Sequence, residues 1–197
     1  MSASPISSTG ERAAAWRAPL AITVAGWLLF ETLTGLLILF LPFGLTPQFT
    51  VIIHTGLGCI FLLPYVVYQI QHWSAYRDAG WTHVKLTGYV ALGAMVLCII
   101  SGLVLTVQAI AGTRISYVWD LLHTVATFAL LAAVAPHVVV LMMRVWGADL
   151  LAPLIHAQRR WIAGCLGFTA LGLVAVAACV AIYEPPVMVN EFPDDYD

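Results

Sequence analysis

The chain is poor in charge: 8 Lys and Arg and 10 Asp and Glu are spread over 197 residues, 9% in all. So few solvated side chains cannot clothe a soluble domain of this length, and no hydrophilic stretch exceeds about 20 residues. That leaves no room for a soluble catalytic domain, and substrate chemistry outside the membrane is expected of another subunit. A formal net charge of −2 and scattered basic residues exclude a nucleic-acid partner. There is no Gly-rich phosphate loop, no nucleophile elbow and no H-E-x-x-H pair, which removes the common hydrolase and zinc-protease chemistries. The four cysteines (Cys59, Cys98, Cys165, Cys179) all fall inside apolar runs and read as small packing residues.

What is abundant is apolar surface. Hydrophobic residues make up 61% of the chain, with a mean hydropathy of +0.94. Five stretches reach the roughly 20 residues that cross a bilayer: Leu20 to Leu41, Phe49 to Ile70, Leu86 to Ile110, Tyr117 to Trp146 and Trp161 to Tyr183. The fold class is therefore an all-α membrane protein with five transmembrane helices, the first four forming an up-down bundle. The fourth stretch is long enough to tilt or project. Basic residues collect in cytoplasmic connections. Arg12, Arg17, Arg77, Lys85, Arg144, Arg159 and Arg160 mark one side, with Arg114 alone on the other. A cytoplasmic N-terminus and an external C-terminus follow. Residues 1–18 read as a short cytoplasmic tail and not as a cleaved signal, 19–146 as the bundle, 147–183 as a cytoplasmic connection and fifth helix, and 184–197 as an acidic external tail. That tail is either a strap for an external partner or a plain solubilising segment. The fifth helix packs beside the bundle or against another subunit.

Four of the six histidines lie within these stretches. His54 and His123 each stand about one and a half turns into a stretch and are followed by threonine, and His72 and His137 come later on the same two helices. Ionisable groups in hydrocarbon are costly and face a bundle interior. From His123 to His137 is 14 residues, which places both on one helix face about 21 Å apart. From His54 to His72 is 18 residues, again one face but about 27 Å. The second and fourth stretches run in the same direction, so His54 pairs with His123 near the outer surface and His72 with His137 near the inner. The inner ligands differ in depth by about 6 Å, one turn, which tilt and kinks at Pro64 and Pro136 help to absorb. The pattern suits axial ligands of two b-type haems stacked across the membrane, non-covalently held because no C-x-x-C-H occurs. His83 is an alternative partner for His137, and His156 reads as solvated or interfacial.

Supporting residues follow the same repeat. Thr34-Gly35 and Ser101-Gly102 each precede a His-Thr pair by about twenty residues. Gly88 and Gly102 are themselves 14 residues apart on the third stretch, either close-packing positions or notches for porphyrin rings. Arg114 is the outer candidate for a propionate, with Arg77, Lys85, Arg17 or Arg144 inside. Glu31, the one acid deep within a stretch, either takes or relays a quinol proton or is bonded to a neighbouring helix. Asp120, one turn before His123, orients a ligand, binds quinone or caps its helix.

With two histidines on the second helix, two on the fourth at a spacing of 14, and a glycine pair on the third, the chain resembles the di-haem four-helix bundle of cytochrome b of quinol:cytochrome c oxidoreductases. It is also similar to small prokaryotic cytochrome b membrane-anchor subunits. The resemblance covers roughly residues 18–146 and rests on His54, His72, His123, His137, Gly88 and Gly102. It departs in the 18-residue spacing, in having only Gly35 on the first helix, where Ala21 stands 14 residues earlier, and in the fifth helix. It implies two haems, quinone as substrate, and electron transfer to a periplasmic c-type cytochrome or oxidoreductase within a respiratory or photosynthetic complex. The competing reading is a haem-free structural anchor or a transporter subunit, whose histidines bind a different ligand.

Overall fold

The computed structural model describes residues 14–112, 114–143 and 152–184. Five long helices dominate: α1 (Pro19–Phe40), α2 (Leu45–Tyr76), α3 (His83–Ile110), α4 (Tyr117–Met143) and α5 (Ala152–Ile182). Each is long and apolar enough to cross a membrane, and the described residues contain no strand. Most of both tail expectations, together with Arg12 and Arg144, lies outside the described residues.

Helix boundaries follow local chemistry. Pro19 opens α1, where its missing N–H costs nothing. The Thr82 hydroxyl caps α3 by accepting from Lys85 N at 3.2 Å. Gly112 ends α3 in the left-handed region, at φ 64°. The Lys85 ammonium donates to the carbonyls of Arg77 and Ala79, at 2.7 and 2.6 Å, and so closes the end of α2. The longest helices are α2 and α5, with 32 and 31 residues, rather than the fourth. Both extend past the apolar stretch read from sequence, because their polar ends carry enough helix-forming residues to continue beyond hydrocarbon.

The helices divide into two groups. Backbone packing joins α1 to α2 and α5, and α3 to α4, whereas α2 meets α3 only lightly and α2 and α4 do not pack along their lengths. The fifth helix runs parallel to α1 on a seam of glycines. A Cβ at Gly26 would lie 2.9 Å from Phe168 Cβ, one at Gly164 2.6 Å from Ile22, and one at Gly172 2.6 Å from the Phe30 ring. Thr169 adds a hydrogen bond to the Gly26 carbonyl at 3.0 Å. The fifth helix thus belongs beside the bundle.

Between the two groups lies a buried layer of Val24, Phe61, Tyr65, Ala91, Ala94, Met95, Leu130 and Ala133. Its spacing explains the irregular histidines. On α4 the order is His123, Leu130, His137, and on α3 it is Gly88, Met95, Gly102, all at steps of seven. On α2 it is His54, Phe61, Tyr65, His72, steps of seven, four and seven. Four extra residues add one turn and about 40°, which keeps the face while lengthening the helix. The added turn carries Pro64, whose absent N–H leaves the Ile60 carbonyl without its helical donor.

Candidate cofactor site

The rings of His54 and His123 face each other with centroids 6.3 Å apart and planes at 85°. Those of His72 and His137 are 6.5 Å apart at 68°. The ring pairing expected from helix arithmetic is therefore the one observed, with His54 facing His123 and His72 facing His137. Two metal–imidazole bonds of about 2.0 Å, plus about 1.1 Å from each ring centre to its nitrogen, require a centroid separation of about 6.2 Å. Both pairs stand within a few tenths of an ångström of that value.

Three of the four rings are held by the same local device. His123 Nδ1 donates to the Cys98 carbonyl at 3.0 Å, with Ser101 Oγ at 3.2 Å. His137 Nδ1 donates to the Val84 carbonyl at 3.0 Å, with Thr87 Oγ1 at 3.4 Å. His54 Nδ1 meets Thr34 Oγ1 at 2.9 Å. Each hydroxyl commits its own proton to a carbonyl of the preceding turn: Thr34 to Phe30, Thr87 to Val84, and Ser101 to Leu97. Its oxygen is left to accept. Carbonyls accept only, so Nδ1 carries the proton in His123 and His137, and the committed hydroxyl argues the same for His54. The other nitrogen, Nε2, then has a free lone pair, the form that binds a metal.

The glycine that follows each hydroxyl completes the device. A Cβ at Gly102 would lie 3.1 Å from His123 Cε1, one at Gly88 3.2 Å from His137 Cε1, and one at Gly35 3.5 Å from His54 Cε1. These glycines admit imidazole edges: the space they open is filled by a histidine ring. His72 lacks the device. Ala21 occupies the corresponding place on α1, and among the described residues no hydrogen bond reaches the His72 ring. It is instead flanked by Tyr68, stacked at 5.5 Å, and Tyr76 at 4.9 Å.

Glu31 is tied to the neighbouring helix, with Oε2 2.9 Å from His54 Nδ1 and Oε1 accepting from Trp27 Nε1 at 3.2 Å. Asp120 is an exposed acid in the first turn of α4, favourable to the helix dipole, and does not reach the Nδ1 of His123. Arg114 is exposed in the connection between α3 and α4, and Arg77 lies 5.3 Å over the Trp73 ring. His156 is exposed at the start of α5. Two surface grooves of about 290 and 580 Å³ lie along α1, by Leu173 of α5 and by the start of α2, and neither includes a histidine.

Sequence reasoning picked out Thr34-Gly35 and Ser101-Gly102 but passed over Thr87 and the carbonyls of Val84 and Cys98. The signal was present, since Leu-Thr-Gly occurs at 33–35 and 86–88 and Ile-Ser-Gly at 100–102.

Among the described residues no group of three or more His, Cys, Asp or Glu converges on a metal-sized site. Two protein ligands per site are too few for a bare structural zinc, which takes four. They are the number needed when a macrocycle supplies the equatorial ligands, so the donor set fits a bis-imidazole haem. Compared with family models, curated proteins and solved structures, the chain gives no match.

Proposed function

We propose that this chain carries electrons across a prokaryotic inner membrane, between the quinone pool and a periplasmic redox partner, as the membrane subunit of a larger complex. The observation that carries the reading is the double coincidence at the histidines: two ring pairs at the separation a shared metal demands, with Nδ1 occupied in three of the four rings and its proton placed by the acceptors. Each haem, once bound, supplies one-electron redox chemistry at a potential set by its ligands and surroundings. The chain's own residues hold the imidazoles in the binding tautomer, and the layer of Phe61, Tyr65, Met95 and Leu130 keeps the two pairs apart and dry.

Orientation is part of the proposal. Arg17, Arg77, Lys85, Arg159 and Arg160 lie at one end of the helices and Arg114 at the other. The positive-inside tendency puts His72 and His137 towards the cytoplasm and His54 and His123 towards the periplasm. Arg114 and Asp120 are then exposed on the periplasmic side, available to a propionate, a quinone head or a c-type partner. Glu31, engaged by His54 and Trp27, is better placed to support a ligand than to hand protons to a mobile quinol.

The test is haem content of the purified full chain in mild detergent. Two b-type haems per chain are expected, falling to one in His123→Ala without loss of membrane insertion. A haem-free wild-type chain refutes the proposal and leaves an anchor or transporter; two haems in His123→Ala refute the ligand assignment.

A further inference from the structure

His54 differs from the other three ligands in what stands behind it. The Nδ1 atoms of His123 and His137 face carbonyl and hydroxyl oxygens, with the Cys98 thiol also 3.7 Å from that of His123, and among the described residues no hydrogen bond reaches the His72 ring. His54 Nδ1 lies 2.9 Å from Thr34 Oγ1 and also 2.9 Å from a carboxyl oxygen, Glu31 Oε2. The ring's aligned hydrogen bond is with Thr34, so Oε2 sits buried beside the nitrogen with no donor of its own. The other oxygen accepts from the Trp27 indole N–H, a group that only donates. Oε1 thus accepts from the indole, while Oε2 faces the Nδ1 atom of His54 at 2.9 Å without an aligned hydrogen bond, so the imidazole is the group towards which a carboxylate there would turn. Among the described residues no lysine or arginine pairs with it, and Gly58 on α2 brings only backbone near Oε2, where a Cβ would lie 3.7 Å away.

An uncompensated carboxylate within the membrane is costly. A ferric centre on His54 and His123 carries one more positive charge than the ferrous one and would offset it. The His54 ring links Glu31 directly to that centre. We infer that Glu31 is a positioning residue that lowers the reduction potential of the centre held by His54 and His123, and so makes the two centres of the chain electrically unequal. This rests on the haem reading above. Within that reading, the carboxylate favours loss of one electron at the outer iron and leaves the inner iron unaffected. The asymmetry comes from one residue: in the internal repeat, Cys98 occupies the position in α3 that Glu31 holds in α1, three residues before the hydroxyl.

The experiment is an optical redox titration of the detergent-purified full chain at one fixed pH, with the outer component identified by its loss in His123→Ala. In Glu31→Gln the outer component is expected to move to higher potential by at least a tenfold change in the oxidised-to-reduced ratio, or 59 mV for one electron, with the inner component in place. Glu31→Asp, which keeps the charge, is expected to stay near the wild type. Should glutamine abolish outer haem binding, retention in Glu31→Asp at near wild-type potential supports the inference, and loss in both variants overturns it in favour of a packing role. Two bound haems with neither potential moved, both moved equally, or equal shifts in the Gln and Asp variants also overturn it. Those outcomes sink Glu31 alone, whereas a wild-type chain without haem sinks the parent reading with it.

Discussion

Replacing Gly102 with alanine sets a methyl carbon 3.1 Å from His123 Cε1 and 3.4 Å from its Nδ1. Carbon atoms prefer separations of about 3.5 to 4.0 Å, so the ring must retreat by about 0.4 Å or more. Retreat is resisted, because Nδ1 is bonded to the Cys98 carbonyl at 3.0 Å and near Ser101 Oγ at 3.2 Å. Overpacking of this kind costs about 1–3 kcal/mol, which corresponds to roughly 5- to 150-fold weaker binding of whatever the ring holds. The same substitution favours the helix itself by about 1 kcal/mol, which offsets part of that cost in the empty chain, while the displaced ring weakens the outer site. Gly88→Ala, with its methyl 3.2 Å from His137 Cε1, is expected to do the same to the inner site. Gly35→Ala is the control: its methyl would lie 3.5 Å from His54 Cε1, an ordinary contact. Haem titrated into detergent-solubilised protein and followed by visible absorption measures the affinities, and a circular-dichroism melt of the empty chain measures the fold. Equal haem affinity in Gly102→Ala and Gly35→Ala would refute the steric reasoning.

Thr34→Val removes the aligned hydrogen bond at His54 Nδ1, where no backbone carbonyl substitutes, and is expected to weaken the outer site by about 1 kcal/mol. Ser101→Ala leaves the Cys98 carbonyl bond and is expected to cost less in the same haem titration; the reverse order would contradict the assigned donors. Imidazole planes at 85° leave two iron d orbitals nearly equal in energy, so the oxidised outer centre is expected to give a strongly anisotropic low-spin EPR signal. An ordinary rhombic signal would show that the rings turn on binding. Gly172→Leu drives a side chain into the Phe30 ring and is expected to loosen α5 from α1, read as faster protease cleavage before α5 with haem content preserved. Unchanged cleavage would mean that the seam bears little of the packing.

Five helices were legible because each carries an apolar run that only a membrane stabilises, and the histidine pairing was legible because a step of 14 residues preserves a helix face. The 18-residue step on α2 could not be resolved from spacing alone. Its explanation lies in the middle layer, where Phe61 and Tyr65 share the place that Leu130 fills singly on α4. The length of α5 was underestimated because Gln158, Arg159 and Arg160 interrupt the apolar run without interrupting the helix. The role of Thr87 was hidden because a lone threonine near a helix start reads as ordinary capping. Glu31 was recognised as exceptional, yet its neighbour could not be named until the α1–α2 register brought His54 to it.

The division of the helices into α1, α2 and α5 on one side and α3 and α4 on the other makes the chain two leaves of a book bound chiefly by side chains. Under the haem reading, each pair of imidazoles would clamp one macrocycle between the leaves, which would then be a rivet as well as a conductor. The leaves already meet at the layer of Phe61, Tyr65, Met95 and Leu130, so a bound group would fasten a closed arrangement at its two ends rather than create it. Heating or protease should accordingly distinguish the haem-loaded chain from the empty one far more sharply than a change at any single lipid-facing residue.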